Sequence, residues 1–313
     1  MEWKDIIPVL AGGLVILVVA LVVKPALLAE PVSDPGPAKP VYVPPTPAPA
    51  ATPFPEDGPA YTRNFRWTAI DGGVHTTEVR VPEALFAEHR NTPRLNDPLA
   101  WGRYALAEED RPVLEDLARR IAPPTGNPEA EYFGLMNLIF FVQQVPYAHD
   151  NSAESYTEGV LPHYAVRRGA DAEYPRYPTE MLVDGKGDCE DSAILMAGLL
   201  DALDYDTVLL RYPDHMALGI RMEGFSPYYA KYTPKYFDYG GKRYYYVEGT
   251  DFAWVNVSTD STARQGKPLP IGDTGSTGIQ SVKSQTPEII PLRYIPAPAE
   301  YRIRPARLPA GGA

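Results

Sequence analysis

The sequence predicts an α+β fold in which a central buried helix packs on an antiparallel sheet, preceded by a transmembrane helix and a proline-rich stalk. Three observations carry this. Residues 6–23 form an uncharged apolar run, IIPVLAGGLVILVVALVV. Eleven prolines then fall between Pro31 and Ala60. Beyond them, segments with helical character come first. A helix apolar nearly all round (189–203) then leads into successive strands, an order that suits α+β rather than alternating βαβ units. The 313 residues carry 29 Lys and Arg against 40 Asp and Glu, a net charge of −11, which disfavours binding to nucleic-acid phosphates. The single cysteine excludes an intramolecular disulfide and Cys-rich zinc sites.

The apolar run reaches roughly 27 Å as a helix, close to the thickness of a hydrocarbon core. A buried soluble helix would show polar positions at helical spacing, and a signal peptide would show a shorter apolar region with a small-x-small end; this run shows neither. Residues 1–29 are therefore expected to be an uncleaved membrane anchor with the body outside the cell. Residues 30–60, centred on PVYVPPTPAPAATPFP, lack backbone donors and favour extended polyproline II, as a semi-rigid stalk would.

The body divides into residues 61–128, a core at 129–286, and a Pro- and Arg-containing strap or tail at 287–313. RNFRWTAI-DGG-VHTTEVRVP reads as a hairpin with Phe65, Trp67 and Ala69 on one face. Residues 85–94 and 110–122 read as helices, the second capped by Asp110 with Pro112 in its first turn. Residues 129–145 form a strongly apolar helix ending before Pro146. Strands are expected at 207–212, 215–222 and 243–249. The tyrosines of the insert between the last two (Tyr228, Tyr229, Tyr232, Tyr236, Tyr239) are read as a lip over a cleft or, by preference, a surface hairpin packed by its own aromatics.

The lone cysteine lies in VDGKGDCEDSAIL. Gly185 and Gly187 allow a tight turn and Asp188 suits a helix cap, so Cys189 falls in the first turn, where free N–H groups and the helix dipole favour a thiolate. A free cysteine is more often a small core residue. Against that, Asp188, Glu190 and Asp191 flank it, and a carboxylate-rich turn is hard to bury. Those carboxylates also oppose a thiolate, so activation needs a nearby imidazolium, with the acids capped, cation-bound or turned away. Of His75, His89, His149, His163 and His215, the last has a route to the sulfur: it opens a strand 26 residues after Cys189, enough chain for helix, turn and return. In YYYVEGTD the two-residue period puts Tyr244, Tyr246 and Glu248 on one face, favouring Glu248 over Asp251 as the acid that orients the ring. No His-x₃-His or paired Cys/His spacing supports a metal hydrolase.

This order of helix-start cysteine, strand histidine and following acid resembles the transglutaminase-like superfamily over roughly residues 132–250. The resemblance is carried by VPYAHD (145–150), YPTEMLVDGKG (177–187), GDCEDSAIL (187–195), HMALGI (215–220) and VEGT (247–250). It is closest in kind to the prokaryotic transglutaminase-like cysteine proteinases. It implies a papain-like fold with Cys189 as nucleophile, His215 as base and acid, and Glu248 where an aspartate is commoner, with Asp251 as the alternative. Papain relatives place a glutamine oxyanion donor six residues before the nucleophile. Val183 stands there, which leaves Gln143 or Gln144 as candidates. The resemblance requires no cofactor, although some such proteinases hold calcium through acids flanking the cysteine, here Asp188 and Glu190. The implied partners are a protein or peptide substrate, including cell-envelope material, with hydrolysis favoured over acyl transfer. A non-catalytic surface module on the same fold is the alternative.

Overall fold

A computed structural model describes residues 58–95, 97–168, 171–227, 232–250, 268–274 and 279–292. The anchor, most of the stalk, Tyr228, Tyr229, Asp251 and the residues after 292 lie outside that range. No helix among the described residues is long and apolar enough to cross a membrane.

The hairpin forms as the alternation predicts: β1 (Ala60–Thr68) pairs antiparallel with β2 (Val74–Pro82), and Trp67 and Ala69 are buried. Helix α1 spans Glu83–Arg90 and stops four residues short of the expected end. Pro93 accounts for this, since it bars Thr92 from helical backbone. After α2 (Gly102–Ala105) comes α3 (Arg111–Ile121). Asp110 does not cap α3 through its side chain. Its buried carboxylate instead accepts from His89 Nε2 (2.6 Å) and Thr179 Oγ1 (2.6 Å), tying three elements together. Helix α4 (Pro128–Gln143) is capped by Asn127 Oδ1, which accepts from the N–H groups of Glu129 and Ala130.

A short hairpin with no local strand signal, β3 (Val166–Arg168) with β4 (Asp171–Glu173), precedes α5 (Pro178–Asp184). Then comes the central helix α6 (Cys189–Asp201), every residue of which after Cys189 is buried. Gly198 lets the α2 and α3 regions close on it: a Cβ there would lie 2.9 Å from both Ala105 O and Leu114 Cδ1.

Helix α6 lies against an antiparallel sheet made by β5 (Thr207–Arg211), β6 (Met216–Arg221), β7 (Tyr236–Tyr239), β8 (Lys242–Val247) and β9 (Glu288–Pro291). The strand order is β7-β8-β6-β5-β9. One face gathers Val208, Leu210, Tyr212, Ala217, Tyr244 and Tyr246 around Val282 of the short helix α7 (Gln280–Ser284). The described part of the Tyr-rich insert is a hairpin arm, with Tyr236 and Tyr239 exposed and the Tyr236 ring 5.8 Å from that of Tyr245. The start of the C-terminal strap is strand β9, paired along β5 from Arg211↔Glu288 to Val208↔Pro291. The molecule is thus mixed α and β with antiparallel sheets, and a buried helix packs on the largest of them.

Candidate functional site

Three local devices set the cysteine at the opening of α6. Gly185, with φ of +67°, ends α5 in the left-handed conformation. Gly187 must lack a side chain, because a Cβ would fall 2.7 Å from Asp191 Cβ. Asp191 Oδ2 then accepts from the Asp188 N–H at 3.2 Å, closing the first turn. Cys189 is left half-exposed at the rim of an otherwise buried helix.

His215 directly precedes β6 and Glu248 directly follows β8, two strands paired with each other. Gly249 brings this end of β8 onto α6, where its Cβ position lies 3.2 Å from Ser192 Cβ and 3.3 Å from Ala193 N. His215 Nε2 meets Glu248 Oε1 at 3.0 Å and Oε2 at 3.2 Å. A carboxylate only accepts, so Nε2 carries the hydrogen and Nδ1 is the ring nitrogen left for sulfur. Glu248 also accepts from Tyr246 Oη (2.5 Å), Gly249 N (2.9 Å), Thr250 N (3.1 Å) and Thr250 Oγ1 (2.9 Å). Burial would raise its pKa, but the His215 charge and these donors outweigh it and hold the carboxyl at about 2. Burial would likewise lower the imidazole, but the Glu248 charge and neighbouring Cys189 raise it to about 10. Cys189, His215 and Glu248 are therefore brought together. Tyr246 shares the face of Glu248, as the strand period requires.

The flanking acids depart from expectation: Asp188, Glu190 and Asp191 are all buried. Arg176, fully buried, makes this tolerable for one of them. Its Nη1 meets Asp150 Oδ1 at 2.7 Å and also Asp191 Oδ2, while Nε meets Asp184 Oδ2 at 2.9 Å. Its backbone N–H donates to Asp191 Oδ1 at 2.7 Å. Arg90 and Arg94 extend the network to Glu180 and Asp184. Glu190 does not turn away from the sulfur; Cys189 Sγ donates to its Oε2 at 3.2 Å.

Among the described residues, no donor reaches Asp188 Oδ1 or Glu190 Oε1. Burial, reinforced by neighbouring charges, raises both carboxyls well above the usual range. One oxygen each from Asp150, Asp188 and Glu190 lies within 4.8 Å of the others, the chemistry of a hard-cation site. Asp150 and Arg176 were not singled out from sequence, because nothing local marks a residue whose partner lies tens of positions away.

The two glutamines do not serve the oxyanion role. Gln143 Nε2 donates to Glu248 O (3.0 Å) and Leu269 O (2.9 Å); Gln144 Nε2 donates to Thr68 O and Phe140 O (both 3.0 Å). An amide has two N–H groups, so neither residue has one to spare. Gln143 instead braces the main chain at Glu248, and Gln144 pins the β1–β2 hairpin. Asp251 lies outside the described residues.

Comparison with protein-family models, curated proteins and solved structures gave no match.

Proposed function

We propose that this chain is a membrane-anchored thiol enzyme with a transglutaminase-like, papain-like core, acting outside the cell on an amide or isopeptide bond of a protein, peptide or cell-envelope substrate. One observation carries the reading: a buried imidazole, bonded through Nε2 to a carboxylate held ionised, is kept protonated by that carboxylate and by the only cysteine, which opens a buried helix.

The protonated ring favours a thiolate beside it, and the first-turn dipole of α6 acts in the same sense. Sulfur adds to the substrate carbonyl carbon. The tetrahedral adduct then collapses, and His215 Nδ1 gives its proton to the leaving amine, which departs from the acyl-enzyme. The same nitrogen next takes a proton from water, whose oxygen adds to the thioester; collapse expels the sulfur as thiolate and restores the starting ion pair as the acid product leaves. Glu248 stays ionised throughout, fixing the ring and stabilising its charged form.

Calcium fits the acidic turn. Asp150, Asp188 and Glu190 would hold it, and two of them carry buried oxygens without a donor. Bound there, the ion would supply positive charge against carboxylates that otherwise disfavour a thiolate.

The test is alkylation of the native protein by iodoacetamide, followed by intact mass, which reports Cys189 alone because there is no other thiol. Rapid labelling well below pH 8 that is lost in His215→Ala supports the ion pair. An inert or ordinary thiol supports a non-catalytic binding module instead.

A further inference from the structure

Glu248 is gripped unequally at its two oxygens. Oε1 accepts from Gly249 N, Thr250 N and Thr250 Oγ1, all in the residues that directly follow it. Among the described residues, Oε2 accepts from Tyr246 Oη at 2.5 Å and otherwise only from His215 Nε2, at a longer 3.2 Å. The terminal torsion of a glutamate is broad, so donors on one oxygen leave the carboxylate plane free to turn. Whatever holds the second oxygen sets that plane.

Tyr246 is itself held still. Its main-chain N–H donates to Lys235 O (3.0 Å) and its carbonyl accepts from Gly272 N (2.7 Å). Its fully buried ring packs in the cluster with Val208, Leu210, Ala217 and Val282. A phenylalanine would fill that cluster as well. The hydroxyl instead reaches the one carboxylate oxygen that the local donors leave. Burial, then the charge of Glu248, hold the phenol well above the ordinary tyrosine range, so it keeps its proton and donates.

We infer that Tyr246 is a positioning residue: its hydroxyl, on Glu248 Oε2, fixes the carboxylate so that Oε1 faces His215 Nε2 and the ring keeps one orientation, with Nδ1 left for sulfur. It acts through Glu248 and takes no part in making or breaking bonds. Without it, the carboxylate and the ring it orients can turn, and the thiol loses a fixed imidazolium beside it. This rests on the thiol-enzyme reading above.

The test follows the rate of Cys189 alkylation by iodoacetamide from pH 5 to pH 10 in the wild-type chain, Tyr246→Phe and Tyr244→Phe. Tyr244 is the structural control: it lies two residues back on the same face and is also buried, but its hydroxyl donates to Asp206 Oδ1 at 3.1 Å. Tyr246→Phe is expected to slow alkylation at pH 6 by about tenfold, the scale of one hydrogen bond to a charged group. At pH 10, where an ordinary thiol ionises unaided, its rate should stay within about twofold of wild type. Tyr244→Phe should keep the wild-type profile. In a Glu248→Gln background, Tyr246→Phe should change nothing further. A wild-type profile in Tyr246→Phe overturns the assignment, as does the same loss in Tyr244→Phe, an equal loss at pH 6 and pH 10, or an effect that persists without the carboxylate. If circular dichroism shows that Tyr246→Phe does not fold, NMR of the wild-type chain decides. The Tyr246 hydroxyl proton should shift when Cys189 is alkylated, and a resonance that does not move overturns the assignment. If wild-type Cys189 itself alkylates as an ordinary thiol, the thiol-enzyme reading fails first and this inference goes with it.

Discussion

Replacing Glu248 by glutamine removes the main charge that keeps His215 protonated and leaves a ring of almost the same burial. The size of the effect follows from the imidazole, which stands at about 10 against an ordinary 6.5. That rise corresponds to about 5 kcal/mol of linkage between ring protonation and folding. Because the folded value is raised, this stabilisation is fully present below about pH 6.5 and is lost as pH climbs through about 10. Glu248 itself lies at about 2 against 4.5, so its part is present above about pH 4.5 and lost as pH falls through about 2. These are two views of one ion pair, not two terms to be added. In Glu248→Gln burial, which lowers the pKa, is opposed chiefly by Cys189. Urea unfolding of both proteins from pH 5 to pH 10 should therefore give a stability difference largest near pH 5–6 that shrinks steadily toward pH 10. A difference that stays flat across that range would refute the ion pair.

Other expectations follow from the same site. Calcium should raise the midpoint of thermal unfolding relative to EGTA, by the equivalent of about 2.7 kcal/mol at 100 times Kd, and Asp188→Asn should abolish the increment. Glu190→Gln removes the carboxyl group that accepts from the Cys189 sulfur, so calcium-free alkylation should speed up and respond less to added calcium. Arg176→Met strands buried carboxylates and should cost about 3–5 kcal/mol in urea unfolding, with Arg176→Lys intermediate because an ammonium cannot fork between Asp150, Asp184 and Asp191. Gly187→Ala drives a methyl into Asp191 and should cost about 1–3 kcal/mol, read in the same assay.

What was legible in the sequence is what local chemistry encodes. Gly-Asp-Cys announces a helix start, two-residue alternation puts Tyr246 with Glu248, and the length from Cys189 to His215 allows one helix and a return. Each rests on neighbours within a few residues. Long-range pairing is where sequence reasoning went astray. The acidic turn was expected to resist burial because Arg176, which neutralises Asp191 from 15 positions away, has no periodic signature. Asp110 looks like a cap because its nearest N–H groups suggest one, yet a histidine 21 residues earlier and a threonine 69 later claim its oxygens. Gln143 and Gln144 looked available only because their carbonyl partners lie in remote segments. The edge strand β9 was hidden for a related reason: four residues near prolines carry little strand signal until β5 supplies the partner.

The three carboxylates buried around Cys189 divide by what satisfies them. Asp191 is satisfied: Arg176 binds it from side chain and backbone, and it closes the first turn by accepting from the Asp188 N–H. Losing it would cost structure. Asp188 and Glu190 each keep an oxygen that no described donor reaches, although buried polar atoms normally find partners. Both carboxyls are pushed toward protonation by burial, and Glu190 already touches the sulfur. A turn built only for rigidity would have paired these oxygens as it pairs those of Asp191. They lie open beside Cys189, with Asp150 facing them while bound to the same arginine that holds Asp191. Under the proposed reading, His215 and Glu248 would supply reactivity, and whatever neutralises the two open carboxylates would set the condition under which it is expressed.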